Sequence, residues 1–160
     1  MELTAATGED VPAVADLWEA LAAEQRDHGS HLLAAENHQQ AQELIAQYVH
    51  TGGVAVARQH GRRVGFVMFH VETGLYETDT KRGVVDNLYV VPGARDDGVG
   101  SALLDHAEAE LRERGAGVLA VEALWDNEGA RRLYERRGYD RHRVTFERPA
   151  ESDTHTKDPD

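Results

Sequence analysis

Val91-Pro92-Gly93-Ala94-Arg95-Asp96-Asp97-Gly98-Val99-Gly100-Ser101-Ala102-Leu103-Leu104 joins a strand-like run to a helical one with almost no linker. The apolar run before it, Val84 to Val91, stops at a proline, which cannot donate to a sheet ladder. A glycine-bearing turn follows, and a helical pattern starts at once. Val99, Leu103, Leu104, Ala107 and Leu111 fall on one face of a helix reaching about Arg114. Successive backbone N–H groups at such a turn point outward, and the helix start adds the positive end of its dipole. The segment is therefore suited to hold a phosphate or pyrophosphate. Gly98 and Gly100 matter because a Cβ there would keep an anion from the backbone. Taken alone, the pattern also fits an ordinary strand–helix turn. It is not a Walker loop, because no Gly-Lys-Ser/Thr follows, and Ser101 breaks a dinucleotide fingerprint.

The flanking sequence supplies the frame. Glu2 to Ala6 alternates weakly as a strand. Thr7 and Asp10 are spaced as a capping-box pair, with Pro12 near the regular helix start. Val11, Val14, Leu17, Trp18 and Leu21 form the inward stripe of a first helix. Glu36 to Val49 reads as a second, with Ala41, Leu44, Ile45, Tyr48 and Val49 inward and Thr51-Gly52-Gly53 at its end. Val54 to Arg58 and Val64 to Val71 are strands joined near Gly61, and Gly74 to Lys81 is a loop. Val118 to Leu124 is a strand, Asn127 to Arg137 a helix stopped by Gly138, and Tyr139 to Glu147 a last strand. The order predicts an α/β sheet, partly antiparallel and partly parallel, in one domain over residues 1–148. Residues 149–160 form a polar tail, expected to be disordered.

The chain of 160 residues carries a net charge of −12, which argues against a general nucleic-acid binder. It has no cysteine, which excludes disulfides, thiolate metal sites and a cysteine nucleophile. No run of about 18 apolar residues is present, so no membrane span is expected. Met1-Glu2-Leu3-Thr4 lacks signal-peptide features, and a cytoplasmic protein is the default. Residues 1–50 hold a single basic residue, Arg26, among nine acids, and only Lys81 and Lys157 are lysines. Salt adaptation explains this acidity. So does steering of a cationic ligand by Glu19, Glu24, Asp27, Glu36 and Glu43; a GC-rich genome favouring Arg and Ala is the alternative to salt adaptation for an acidic, lysine-poor chain. His28, His31 and His38 do not share one helix face, so no metal site is expected.

A second constellation follows the next strand: Asn127-Glu128-Gly129-Ala130-Arg131-Arg132-Leu133-Tyr134-Glu135-Arg136-Arg137-Gly138-Tyr139. Together the two segments resemble the Gcn5-related N-acetyltransferases. In that superfamily a strand ending in Val-x-Pro leads to Arg/Gln-x-x-Gly-x-Gly/Ala. About thirty residues later comes Asn-x-x-Ala-x-x-Leu-Tyr-Glu-x-x-Gly-Phe. Ala6 to Pro12 also resembles the family's first strand–helix junction, and the likeness covers about residues 2 to 148. Two departures stand out: Tyr139 where the family has Phe, and Asp96 where it usually has Gly.

The resemblance implies a largely antiparallel sheet in which Val84–Val91 and Val118–Leu124 are parallel and splay apart. The pantetheine arm of acetyl-CoA would lie in the gap along Leu88, Tyr89 and Val90, with Asn127 touching the arm or bracing its strand. A backbone N–H near Val90 would polarise the acyl carbonyl. The turn Arg95, Asp96, Asp97, Gly98, Val99, Gly100 and Ser101 would hold the pyrophosphate. Tyr134 would protonate the leaving thiolate, unless it is simply a core tyrosine. Asp86, inside an otherwise apolar strand, is the first choice for general base, Glu122 the second and His70 the third. The acceptor would be a small primary amine and the transfer direct, through a ternary complex. A protein-modifying acetyltransferase and a CoA-binding sensor without catalysis are the alternatives. Family members often dimerise, and nothing in the sequence marks an interface.

Overall fold

Thr7 and Asp10 do form the expected box: the Thr7 N–H donates to Asp10 Oδ2 at 2.8 Å, around one 3-10 turn at Gly8–Asp10. That turn launches α1 (Val11–Arg26), with Pro12 in its first turn, where no intrahelical donor is lost. The computed structural model describes residues 1–151, so most of the predicted tail lies outside the described residues. The remaining elements are β1 (Glu2–Ala5), α2 (His38–His50), β2 (Val54–Gln59), β3 (Arg62–Val71), β4 (Arg82–Val90), α3 (Val99–Glu113), β5 (Val118–Val121) and α4 (Glu128–Arg136).

The five strands form one sheet in the order β1-β2-β3-β4-β5, antiparallel throughout except for the parallel pair β4–β5. Alternation along the central strands sends side chains to two separate cores. Val54, Val56, Phe66, Met68 and Tyr89 pack with Val14, Leu21 and Ile45 of α1 and α2. Ala55, Ala57, Val67, Phe69 and Val85 pack with Leu103, Leu104, Ala107 and Leu111 of α3 on the other face. The inward stripe expected of α3 is buried at every position. Gly83 lets α3 sit close: a Cβ there would lie 3.0 Å from Leu111 Cβ and from Ala116 Cβ. A two-residue turn, His60 and Gly61 with φ of 53° and 76°, closes the β2–β3 hairpin. Among the described residues no helix is long and apolar enough to cross a membrane.

Four expectations are corrected. The second helix begins at His38, after a 3-10 turn at Ala35–Asn37, not at Glu36. Leu44, expected inward, is 46% exposed. β5 ends at Val121 instead of Leu124, because its one neighbour, β4, departs there. No strand forms over Tyr139–Glu147 among the described residues. Charged or titratable residues fill Asp140 to Arg143, and the apolar Val144 and Phe146 stand in solvent, so the segment offers little apolar face to bury. Side chains at its two ends attach it instead: Tyr139 to Glu108, and Glu147 to His31.

Candidate functional site

The β4–β5 pairing runs from Arg82↔Val118 to Val85↔Val121 and stops. β4 continues from Asp86 to Val90, hydrogen-bonded to β3 alone. The two parallel strands thus part at a fork, and the first residues past it are Asp86 and Glu122. The β3–β4 register explains the departure. Met68 pairs with Asn87 and Phe69 with Val85, so Asp86 is the extra residue of a bulge. Bulges bend a strand and re-aim a side chain. Asp86 is therefore no carboxylate trapped inside an apolar strand, as its neighbours suggested, but a partly exposed one at the fork. Glu122 is exposed, one residue beyond β5. Leu88 and Val90 are half-buried and Tyr89 is buried, so the stretch that would line the gap is formed.

At the far end of that stretch the turn from Val91 leads into α3. Gly98 occupies its N-cap with φ of 81°, and no side chain caps the helix. The first amides of α3 are left for an outside partner. A Cβ on Gly98 would meet nothing within 4 Å, and on Gly100 nothing nearer than Val90 Cγ2 at 3.7 Å. At Gly98 the backbone angle asks for glycine; at Gly100 the protein's own packing does not. Asp96 and Asp97 are exposed, and Asp96 is held at φ of 69°. Arg95 is engaged: its Nε donates to the Val90 carbonyl and its Nη2 to Glu24, both at 2.8 Å. It ties the turn to α1, and its guanidinium lies 5.5 Å from the Tyr89 ring. Val99 is buried and Ser101 half-buried at the helix start.

On the other side of the fork, Asn127 Oδ1 accepts the Ala130 N–H at 3.1 Å and so caps α4. Tyr134 packs against the α3 core, edge-on to Tyr139 with centroids 6.0 Å apart. Burial pushes its phenol up to about 12, so it carries its proton at any ordinary pH. A cluster that the sequence reading missed sets its position. Glu108, 7% exposed on α3, accepts from Tyr139 Oη at 2.7 Å and Arg137 Nη2 at 3.1 Å. Arg137 also pairs with Asp105. The signal was present: Glu108 interrupts the apolar face between Leu104 and Leu111, and Tyr139 stands where the family has Phe. The extra hydroxyl answers the extra carboxylate.

A second unforeseen group lies on the α1–α2 side. His70 Nδ1 is 2.7 Å from Asp86 Oδ2 and 3.2 Å from Tyr48 Oη. Burial first, then the charge and hydrogen bonding of Asp86, push the Tyr48 phenol up to about 12. In sequence, Tyr48 reads only as part of the α2 stripe. Three other histidines pair separately: His28 with Asp126 at 2.9 Å, His31 with Glu147 at 2.9 Å and His38 with Glu19 at 2.8 Å. No group of three or more metal-type ligands gathers among the described residues.

A model of the Acetyltransferase (GNAT) family matches residues 14–139. Among curated relatives, the "Uncharacterized N-acetyltransferase YhfO" of Bacillus subtilis is 32% identical over 96 residues, 57% of this chain and 60% of that protein. The aminoalkylphosphonate N-acetyltransferase of Salmonella typhimurium is 31% identical over 91 residues, 57% of this chain and 58% of that protein. The matches thus span somewhat over half the length of these relatives. A solved GCN5-related N-acetyltransferase from Ralstonia eutropha superposes with a TM-score of 0.75 at 26% identity, covering 93% of this chain and 98% of that one.

Proposed function

Because the chain belongs to the GNAT family of acetyltransferases, we propose that it moves the acetyl group of acetyl-CoA directly onto a primary amine of a small molecule. The observation that carries this reading is the arrangement along β4. A fork bearing two carboxylates opens at Val85/Val121, and an uncapped helix start with open space over Gly98 stands at the other end of the same strand. An elongated thioester with a pyrophosphate at one end fits that layout. The pyrophosphate would take the first amides of α3, and the pantetheine arm would follow Leu88, Tyr89 and Val90. A backbone N–H near Val90 would polarise the acyl carbonyl. Tyr134, kept protonated by burial, would supply a proton to the departing sulfur. Without cysteine, no thiol acyl-enzyme is available. A relative named for an aminoalkylphosphonate acceptor supports a small-molecule amine over a protein.

The test uses the missing cysteine: a thiol reagent reports only released CoA. Wild-type protein is assayed with acetyl-CoA over a panel of primary amines and lysine peptides. Tyr134→Phe should lower kcat by about 100-fold while Kd for CoA, by calorimetry, stays within about twofold. Release with peptides alone would move the reading to a protein-modifying enzyme. Tight CoA binding with no release on any amine would make it a sensor.

A further inference from the structure

Tyr48, His70 and Asp86 come from α2, β3 and β4, and meet at the fork on the face away from Tyr134's helix packing. The proton arrangement follows from chemistry. Asp86 can only accept, so the nitrogen 2.7 Å from its oxygen must carry a hydrogen. That places the imidazole proton on Nδ1. In the neutral ring Nε2 then holds the lone pair, and it has no hydrogen-bond partner among the described residues. The Tyr48 hydroxyl lies beside the same nitrogen, and the Tyr48 ring stands edge-on to the imidazole at a centroid distance of 5.9 Å, which fixes the ring plane. Facing His70 are Tyr48 from α2 and Asp86 from β4; just past the end of its own strand, Glu72 is bound to Arg82 at 2.8 Å. A partly exposed imidazole, oriented by a carboxylate and open at its second nitrogen, is the form in which histidine takes up protons.

A mainly apolar recess of about 170 Å³ lies between α1, α2 and β3. Trp18, Leu32, Leu44 and Met68 line it, and no charged side chain does. Two elements tie it to the imidazole. Met68 and His70 are two residues apart on one face of β3, about 7 Å, and Leu44 and Tyr48 are one turn apart on α2, about 6 Å. Beside the imidazole stands the Asp86 carboxylate of β4, which complements an ammonium.

We propose that His70, with Asp86 on its Nδ1, takes the proton from the acceptor amine, and that the amine arrives on an apolar body lying in the recess between α1 and α2. This rests on the acetyl-transfer reading above. The ammonium gives one proton to Nε2, and the neutral nitrogen attacks the thioester carbon. The C–N bond forms, and the C–S bond breaks with its electron pair on sulfur. The nitrogen's second proton is matched by the one Tyr134 delivers to sulfur. Amide, CoA thiol and one proton, passed from His70 to solvent, are the products. Asp86 becomes a positioning residue, holding the imidazole and its tautomer.

The experiment follows CoA release from acetyl-CoA with 2-phenylethylamine between pH 6 and pH 10, in wild type, His70→Gln and Asp86→Asn. His70→Gln should lose about 100-fold in kcat near neutrality at unchanged KM for acetyl-CoA, and recover toward wild type at the alkaline end, where the amine is already neutral. Asp86→Asn, which can still accept from Nδ1–H, should lose about tenfold. Leu44→Glu should raise KM for 2-phenylethylamine about fivefold and leave acetyl-CoA unaffected. A His70→Gln rate within about threefold of wild type across the range overturns the proposal, and a preference for putrescine over 2-phenylethylamine overturns its recess. Nitrogen-15 NMR of the imidazole in the unliganded protein decides the dyad whatever the acceptor. A proton on Nδ1 supports it and a proton on Nε2 overturns it, even if the wild type turns over no amine and the acetyl-transfer reading itself falls.

Discussion

Asp96 departs most from the pattern its neighbourhood resembles, and the structure gives the departure a second aspect. Its φ of 69° lies in the left-handed region, which aspartate tolerates and glycine occupies without strain. Asp96→Gly relieves the left-handed backbone cost of about 1–2 kcal/mol, less glycine's own entropy loss of about 0.5–1 kcal/mol, and should therefore raise stability by up to about 1 kcal/mol, read as a higher Tm. The same change removes a carboxylate from the helix start proposed to hold a pyrophosphate. With both aspartates in place, repulsion weakens as salt screens it, the Debye length shrinking from about 10 Å at 0.1 M to about 3 Å at 1 M. KM for acetyl-CoA should accordingly fall, or stay level, as KCl is added, with a flatter response in Asp96→Gly. A marked rise with KCl would sink the idea that these carboxylates face the phosphates. At this scale the residue types were readable in advance and their partners were not. Arg95 reads as a phosphate ligand in sequence, yet its guanidinium is shared between Glu24 and the Val90 carbonyl.

Elements with strong periodicity were legible, and those whose limits depend on a neighbour were not. The stripe of α3 is buried as read, because a helix forms its own hydrogen bonds and needs only one apolar face. β5 and the expected strand over Tyr139–Glu147 need a neighbouring strand to hydrogen-bond to. The first is cut short where β4 leaves it, and the second does not form. The bulge at Asp86 is of the same kind: one unpaired residue that only the register between β3 and β4 reveals. The placement of α4 depends on the Glu108 cluster. Tyr139→Phe keeps the ring that touches Tyr134 but leaves a buried carboxylate short of a donor. It should cost about 1–2 kcal/mol, measured by denaturant unfolding, with KM for acetyl-CoA unchanged. A variant as stable as wild type would mean that Arg137 alone satisfies Glu108.

Across the whole molecule one buried charge fastens the N-terminal junction to the hairpin. Asp10, 2% exposed, accepts from Arg58 at 2.6 Å and Arg63 at 2.8 Å. Burial acts to raise its carboxyl, but the Thr7 amide and the two guanidinium groups outweigh it and hold it below its ordinary 3.8. A group depressed in the folded state adds stability above that value, and the contribution is lost as pH falls through the lower one. Asp10→Asn should thus cost about 3–5 kcal/mol at pH 7, and the gap to wild type should narrow below about pH 4. A gap independent of pH would assign the loss to packing. The sequence by itself determined the number and kind of most elements, the glycine turn before α3, and the chemistry on offer: carboxylates, a tyrosine, histidines and no thiol. Periodicity and turn chemistry are local, acting over a few residues. Only the tertiary structure decided which groups meet. His70 and Asp86 lie on adjacent strands but touch through a bulge, and Arg95 finds Glu24 at a separation of 71 residues. Such pairings depend on register and on the packing of helices across a sheet, distances that no local pattern encodes.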